Sequence, residues 1–228
     1  MGHEIESVAI ERGHTIKQII DIDNSGDLNS FIFKEIDVAI EFSSPDSAFG
    51  NIVKCLEMKK PVVSGTTGWL KNYDLAKDIC IKNGTSFIHS SNFSVGVNIL
   101  FRLNSELAKM MESHKDYIPS IEEIHHIKKL DAPSGTAISL AESIREHHKG
   151  YEGWCYEKNK TKKCIPIRSI REGTVIGTHS VVWNSEIDSI SLKHEAKNRK
   201  GLAFGAVLAA EYIFVRQGVF TMNDVLGF

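Results

Sequence analysis

Short apolar runs alternate with amphipathic stretches over roughly the first ninety residues, and this alternation limits the fold more than any other feature. The runs have the length and bounding turn residues of strands, and the stretches between them have the spacing of helices. Strands that alternate with helices build a parallel sheet covered by helices on both faces. The predicted strands are residues 15–22, 37–42, 61–64 and 86–89, and the predicted helices are residues 4–12, 45–59 and 70–83.

The pattern changes after residue 94. A long helix is predicted over residues 95–113, and a second class of sheet follows it, open, mixed and mostly antiparallel. A final helix over residues 202–217 is predicted to return to the first domain. The chain is therefore predicted to be α/β, with a doubly wound domain (1–93 and 201–228) and an α+β domain (94–200). The strands of the second sheet are predicted at 117–127, 164–171, 177–183 and 185–194, with a helix at 136–148.

The segment from Glu123 to Ala137 reads as an active site. It runs Glu-Ile-His-His-Ile-Lys-Lys-Leu-Asp-Ala-Pro-Ser-Gly-Thr-Ala, so two histidines and a lysine leave a strand end where a helix begins. Adjacent strand residues point to opposite faces, whereas His125 and Lys129 share a face if the strand continues that far. One histidine and the lysine would then meet one substrate.

The helix that follows this turn favours an acidic ligand. The first N–H groups of a helix lack intrahelical partners and carry the positive end of its dipole, so Ser134, Gly135 and Thr136 are candidates to hold a carboxylate or phosphate. The alternative is structural: Ser134 or Thr136 is a plain N-cap, with Pro133 setting the chain direction.

The pattern His125-His126-x-x-Lys129-x-Asp131-Ala132-Pro133-Ser134-Gly135-Thr136-Ala137 resembles the defining motif of the dihydrodipicolinate reductase family, the 4-hydroxy-tetrahydrodipicolinate reductases of lysine and diaminopimelate biosynthesis. The resemblance covers nearly the whole chain. It extends in order to Glu41–Pro45, Val63–Gly68, Ser91–Asn98, the run from His194 to Gly205, and Asp224–Leu226.

The resemblance implies a reduction in which NADH or NADPH supplies hydride and the substrate loses its hydroxyl. His125 and Lys129 are then the catalytic acid/base pair, and His126, Gly135 and Thr136 bind the carboxylates of a dicarboxylate substrate. It also implies a Rossmann-like first domain and a homotetramer built through the open sheet of the second.

In a doubly wound sheet the ligand lies at the carboxyl ends of the strands. Asp23 is the favoured partner of the adenosine ribose, with Asp21 as the second choice, and the absence of a following arginine favours NADH, although the resemblance allows both cofactors. The other predicted cofactor-binding residues follow later strands or open the chain: Met1, Gly65, Thr66, Thr67, Ser90, Ser91, Asn92 and Phe93.

Members of this family begin with a strand and a G-x-x-G-x-M-G turn that cradles the cofactor pyrophosphate. Met1-Gly2 matches the last two residues of that turn, so the first strand and leading glycines are expected to be absent from this chain. Weaker cofactor binding and lower stability are expected unless another element or subunit fills that place.

Composition excludes several classes of protein. A net charge of −2 and a pI near 6.6 do not indicate the basic surface that binds nucleic acid. The basic run 158–163 is interpreted as a solvated loop. The sequence has neither a secretory h-region nor a membrane-length apolar run. The spacing of Cys55, Cys80, Cys155 and Cys164 indicates neither a disulfide scaffold nor a metal site, so reduced thiols and a cytoplasmic location are predicted.

Three other interpretations remain open at this stage. One is a different two-domain nicotinamide oxidoreductase on the same architecture. Another is a metal hydrolase, although no H-E-x-x-H or comparable spacing is present. The third is a family member that assembles and binds the dicarboxylate without turnover, because its phosphate-binding turn is missing. The potential metal ligands are His125, His126, Asp131, His147 and His148.

Overall fold

The structure is a computed structural model that describes residues 1–29 and 31–228. It divides into two compact units, with Met1–Val95 and Arg199–Phe228 in unit 1 and Gly96–Asn198 in unit 2. The helices are α1 (Gly2–Glu11), α2 (Ile32–Glu35), α3 (Pro45–Glu57), α4 (Tyr73–Asn83), α5 (Val95–Met111), α6 (Gly135–His147), α7 (Lys200–Phe214) and α8 (Met222–Leu226). The strands are β1 (Ala39–Glu41), β2 (Val62–Ser64), β3 (Ser86–His89), β4 (Ile118–His125), β5 (Gly153–Tyr156), β6 (Cys164–Arg171), β7 (Gly177–Asn184), β8 (Ser189–Ala196) and β9 (Gly218–Phe220).

Unit 1 is built on a parallel sheet of order β1-β2-β3-β9. Side chains alternate between the two faces, so neighbouring valines of β2 enter different cores. Val63 packs in a cluster with α1 and α7, and Val62 packs in a cluster with α3 and α4. Helices therefore cover both faces, which confirms the predicted doubly wound architecture.

The strand predicted at residues 15–22 is wrong. This segment has no regular structure up to Asp21 and then enters a 3-10 helix, Ile22–Asp27. A strand is stable only when its N–H and C=O groups find a ladder partner, and among the described residues β1 pairs with β2 alone. Ile16 packs against the core, but Ile19 and Ile22 are exposed, so the apolar residues alone do not hold the segment to the sheet.

Unit 2 contains a five-stranded sheet of order β5-β6-β4-β7-β8. The pairs β5·β6 and β6·β4 are parallel, and the pairs β4·β7 and β7·β8 are antiparallel. The predicted mixed sheet is thus confirmed, whereas its mostly antiparallel character is wrong because β5 was missed. One face packs against α5 and α6, with Ile121, Ile167 and Val181 in the shared core.

The predicted reduced state is wrong for one cysteine pair. Cys155 and Cys164 form a disulfide, since the neighbouring strands β5 and β6 bring their Cα atoms to 5.8 Å. Cys55 and Cys80 are free and buried. The basic run 158–163 is exposed, as predicted for a solvated loop. Among the described residues, none of the helices combines the length and apolar character that a membrane crossing requires.

Candidate active site

The predicted catalytic motif forms a strand end, a turn and a helix start within unit 2. Strand β4 ends at His125, whose carbonyl accepts a hydrogen bond of 2.8 Å from the Glu172 N–H. The chain then turns, and the Lys129 N–H donates to the His126 carbonyl at 3.0 Å. The condition for His125 and Lys129 to share a strand face is therefore not met, and it is the turn that positions Lys129.

Lys129 lies beside an acidic residue of the same motif. Its Nζ is 2.8 Å from Oδ1 of Asp131, and the lysine side chain is 23% exposed. Burial would raise the pKa of the Asp131 carboxyl, but the hydrogen bond and charge of Lys129 lower that pKa below its ordinary value. Asp131 is thus an ionised partner that fixes the ammonium group.

The helix start lies where the sequence placed it. Ser134 is the N-cap of α6, and its Oγ accepts from the Ala137 N–H at 3.3 Å. This selects Ser134 over Thr136 as the cap. Gly135 is exposed, and a Cβ built on it would meet no heavy atom within 4 Å, so space remains for a ligand at the first turn.

His126 is half-buried immediately beyond the end of β4. Its Nδ1 is buried and has no hydrogen-bond partner among residues 1–29 and 31–228. A buried polar atom without a partner is costly, so this nitrogen is a candidate to bind a ligand.

Sequence reasoning missed a row of polar residues that crosses the buried face of the sheet. Strand register places Ser169, Glu123, His179 and His194 at equivalent positions of four adjacent strands, β6, β4, β7 and β8. The period-2 alternation of β4 puts Glu123 on the same face as His125, which was the one available signal. The cross-strand partners depend on register, which the sequence does not state.

Glu123 is the centre of this row. Its side chain is fully buried, its Oε2 accepts a short hydrogen bond from Nδ1 of His125, and its Oε1 lies 2.9 Å from Nη1 of Arg171. Burial alone would raise the pKa of the carboxyl, but His125 and Arg171 outweigh it and lower the pKa to about 2. Glu123 is therefore a buried carboxylate flanked by two basic side chains.

His179 lies beside the same centre but stays neutral. Its ring meets the His125 ring edge-on with centroids 5.1 Å apart, and its Nε2 is 3.2 Å from Oγ of Ser134. Burial lowers the pKa of His179 to about 4, and the electrostatic effects of His125 and Lys129 act in the same direction, against that of Glu123. His179 therefore connects the sheet to the cap of α6.

The buried row also contains a possible cation-binding group. Among the described residues, one ligand atom each of Glu123, His125 and His179 lie within 4.8 Å of one another. Of the ligands proposed from sequence, only His125 belongs to this group. The guanidinium of Arg171 already contacts the same carboxylate, so a bound cation would face a positive charge at close range.

Unit 1 carries a cleft at the carboxyl ends of β1 and β2. It has a volume of about 370 Å³, and three predicted cofactor-binding residues that follow β2, as well as Met1 at the start of α1, lie on it. The lining residues are Met1, Phe42, Ser43, Pro45, Gly65, Thr66 and Thr67. Hydroxyl groups at the strand ends and the N-terminus of a helix fit a dinucleotide cofactor.

The rim of this cleft is held by Glu41, which sequence reasoning did not select as a site residue. Its buried carboxylate accepts from the Ser43 N–H at 2.9 Å, from the Ser64 hydroxyl at 2.6 Å and from the Thr66 hydroxyl at 2.9 Å. The Ser43 hydroxyl adds a short hydrogen bond. One carboxylate thus ties together the loops that follow β1 and β2.

The remaining predicted cofactor residues have mixed placements. Gly65 packs closely against Phe42, because a Cβ there would lie 2.2 Å from the Phe42 ring. Ser90 donates its hydroxyl hydrogen to the Asn92 carbonyl at 2.8 Å, which closes the turn that also contains Ser91. Phe93 is 1% exposed and lies in the core, so any cofactor contact it makes would come from its backbone.

The reason for selecting Asp23 does not hold in the structure. Asp23 is exposed in a 3-10 helix and does not end a strand. Asp21, the second choice, caps that helix by accepting from the Ile22 N–H at 2.7 Å. Without a sheet partner for residues 15–22, neither carboxylate is held at a strand end.

Comparison with known proteins gives concordant matches in both units. Residues 1–93 match the family described as "Dihydrodipicolinate reductase, N-terminus", and residues 96–226 match "Dihydrodipicolinate reductase, C-terminus". The 4-hydroxy-tetrahydrodipicolinate reductase of Christiangramia forsetii is 51% identical over 227 residues, covering 99% of this chain and 93% of the relative. That of Buchnera aphidicola is 35% identical, covering 84% of this chain and 72% of the relative.

A solved structure extends the agreement to the fold. The dipicolinate-bound dihydrodipicolinate reductase from Paenisporosarcina sp. TG-14 superposes with a TM-score of 0.78 at 21% identity, covering 96% of this chain and 92% of the other. The motif around His125 therefore stands in a fold shared with that protein. On the family matches and the 51% identical relative, the chain belongs to the dihydrodipicolinate reductase family.

Proposed function

We propose that this chain is a 4-hydroxy-tetrahydrodipicolinate reductase, which reduces 4-hydroxy-tetrahydrodipicolinate to tetrahydrodipicolinate with NADH or NADPH in lysine and diaminopimelate biosynthesis. The observation that carries the proposal is the 51% identity, over almost the full chain, to a relative of that name. The motif beginning at His125 and the cleft at the ends of β1 and β2 give this activity a substrate site and a cofactor site.

The substrate-binding role rests on the start of α6. A dicarboxylate would place one carboxylate against the first-turn N–H groups of Gly135 and Thr136, with His126 as a further donor. The Paenisporosarcina reductase has dipicolinate bound, which supports this ligand class. We expect dipicolinate itself to bind this chain.

His125 and Lys129 are proposed as the proton-transfer residues. A bound reduced nicotinamide would supply the hydride. Lys129 lies in a turn beside Asp131, which holds its ammonium group as a proton donor, and His125 has Nδ1 engaged by Glu123. The protein thus orients the dicarboxylate and supplies the proton that accompanies loss of the hydroxyl as water.

The cofactor is proposed to bind along Met1, Gly65, Thr66 and Thr67, with the turn at Ser90, Ser91, Asn92 and Phe93 beside it. Asp23 remains a proposed ribose contact that would require residues 15–22 to move onto the sheet. NADH and NADPH are both candidates. The reaction would take place in the cytoplasm, where both reduced nicotinamides are present.

A homotetramer is proposed through the second face of the unit 2 sheet. Ser120, Glu122, Ser180 and Val182 lie on that face and are only half-buried, and β8 beside them is largely exposed. An open sheet face of this kind is typically covered by another subunit. Light scattering after size-exclusion chromatography would measure the mass.

The direct test is loss of reduced-nicotinamide absorbance with freshly generated 4-hydroxy-tetrahydrodipicolinate and each cofactor in turn. Turnover that Lys129→Ala reduces by at least a hundredfold would support the reductase, in line with the usual effect of removing an acid or base. No turnover, from protein that is folded by circular dichroism, would reject it.

A second candidate function is binding of the dicarboxylate without turnover. The unformed strand at residues 15–22 favours it, because Asp23, the proposed ribose contact, directly follows that segment and is not held at a strand end. Calorimetric titrations separate the two functions. Dipicolinate binding without measurable NADH or NADPH binding would support the second candidate.

A further inference from the structure

The structure contains a buried carboxylate in contact with the proposed proton-transfer histidine. Glu123 precedes His125 by two positions on β4, so both side chains enter the same face of the sheet. The Glu123 side chain is 0% exposed and that of His125 is 10% exposed. The pair is therefore shielded from water, where a charge-assisted hydrogen bond is strong.

The contact fixes which ring nitrogen carries the proton in the neutral imidazole. A carboxylate accepts but does not donate, so the hydrogen bond between Glu123 Oε2 and His125 Nδ1 requires a proton on Nδ1. Nε2 has no hydrogen-bond partner among the described residues of the chain. It is therefore the ring atom left to exchange a proton.

Arg171 connects this pair to the motif turn. Its Nη1 lies 2.9 Å from the second oxygen of Glu123, and its Nη2 donates to the Asp131 carbonyl at 2.5 Å. The Tyr156 hydroxyl donates to the next carbonyl, that of Ala132, at 2.9 Å. Arg171, which helps to keep Glu123 ionised, thus also holds the chain that follows Lys129.

We infer that Glu123 is a positioning residue for the proposed reaction. Glu123 keeps His125 protonated on Nδ1, so that Nε2 exchanges the proton with the substrate. Arg171 holds the carboxylate and the motif turn in place. The inference rests on the proposed function for its kinetic consequence but not for its structural one. If a metal cation occupied the group formed by Glu123, His125 and His179, the Glu123 carboxylate would be one of its ligands. The nearby guanidinium argues against that occupant.

The first test needs no turnover. Long-range ¹H–¹⁵N spectra of the ¹⁵N-histidine protein, with His125 assigned by comparison with His125→Asn, report the tautomer of each ring. We expect neutral His125 to carry its proton on Nδ1 and, in Glu123→Gln, to shift toward Nε2. A wild-type His125 protonated on Nε2 would overturn the inference, whether or not Glu123→Gln folds.

The second test is kinetic and includes a matched control. In Glu123→Gln we expect kcat to fall roughly a hundredfold or more, as expected when a carboxylate that orients a catalytic histidine is lost, with KM changed less than about threefold. Glu123→Asp should restore part of kcat.

Glu112→Gln is the control, because it removes a carboxylate that also lies beside a buried histidine. Glu112 is 3.4 Å from His148 at the opposite end of α6, and its side chain is 38% exposed. We expect the kcat and KM of Glu112→Gln to match wild type. A fall in Glu123→Gln no larger than in Glu112→Gln, or one metal ion per chain that His179→Gln abolishes, would overturn the inference. A wild-type enzyme without turnover but with Nδ1-protonated His125 would reject the proposed function and retain the positioning role.

Discussion

The two units each bury a glutamate near the carboxyl end of a strand, and the partners of the two carboxylates differ in kind. In unit 1 Glu41 is surrounded by hydroxyl and backbone N–H donors from Ser43, Ser64 and Thr66. In unit 2 Glu123 is surrounded by the ring of His125 and the guanidinium of Arg171. We call these the neutral centre and the cationic centre.

The difference matches what each site has to do. Hydroxyl and N–H donors do not titrate near neutral pH, so the neutral centre fixes the shape of a cleft at any physiological pH. The cationic centre contains the imidazole that is proposed to exchange a proton with the substrate. The same acidic side chain thus serves as a fixed support in one unit and, under the proposed function, as the group that orients a histidine ring in the other.

The largest expected effect comes from breaking the cationic centre. Arg171→Ala removes one partner of a fully buried carboxylate and the anchor of the Asp131 carbonyl. Loss of one member of a buried ion pair costs about 3 to 5 kcal/mol, because the other charge is left uncompensated. We expect a loss of that size in the free energy of unfolding, measured with urea by tryptophan fluorescence.

Arg168→Ala is the matched control on the same strand. Arg168 is 56% exposed and lies 3.5 Å from Glu122, so its loss should cost less than about 1 kcal/mol. Equal losses in the two variants would show that burial of the Arg171 pair has no special energetic weight.

A smaller effect is expected in the pH dependence of stability, through His179 beside the cationic centre. The pKa of His179 is about 4 in the folded protein, against an ordinary value of 6.5, so the unfolded chain binds the extra proton. The contribution of His179 to the free energy of unfolding is fully present above pH 6.5. This contribution is lost as the pH falls toward 4, by about 3 kcal/mol at most. In His179→Gln, this part of the acid-induced loss of stability between pH 7 and pH 4.5 should disappear.

The comparison for this titration is His3→Gln, because the His3 side chain is 99% exposed. Urea midpoints measured at several pH values should fall in parallel for wild type and His3→Gln. If the urea midpoint of His179→Gln fell in parallel as well, His179 would not be a cause of the acid-induced loss of stability.

The sequence predicts the parts of both sites that depend on local spacing. The end of β4 near His125, the cap at Ser134 and the strand ends near Gly65 all follow from short patterns, and all are found. The sequence does not predict Glu123 and His179 as site residues, because their pairing depends on which strands become neighbours. The predicted strand at residues 15–22 fails for the same reason, since its apolar residues say nothing about whether a ladder partner is present.

An effect of intermediate size distinguishes two glycines that look alike in sequence. A Cβ at Gly65 would lie 2.2 Å from the Phe42 ring, whereas one at Gly135 meets nothing within 4 Å. Gly65→Ala should lose about 1 to 3 kcal/mol of unfolding free energy through overpacking. Gly135→Ala should be neutral or slightly stabilising in a helical first turn, yet weaken dipicolinate binding by calorimetry.

The smallest effect tests the neutral centre itself. Glu41→Gln keeps a carbonyl acceptor but replaces the other oxygen by an amide that cannot accept from Ser64 and Thr66 together. Loss of about one net hydrogen bond, near 1 kcal/mol, corresponds to roughly fivefold weaker cofactor binding. Dipicolinate affinity should not change, because the Glu41 contacts lie within unit 1. Glu123→Gln should leave the cofactor Kd unchanged and alter proton transfer. If each of the two variants impaired both cofactor binding and proton transfer, the two centres would not be independent.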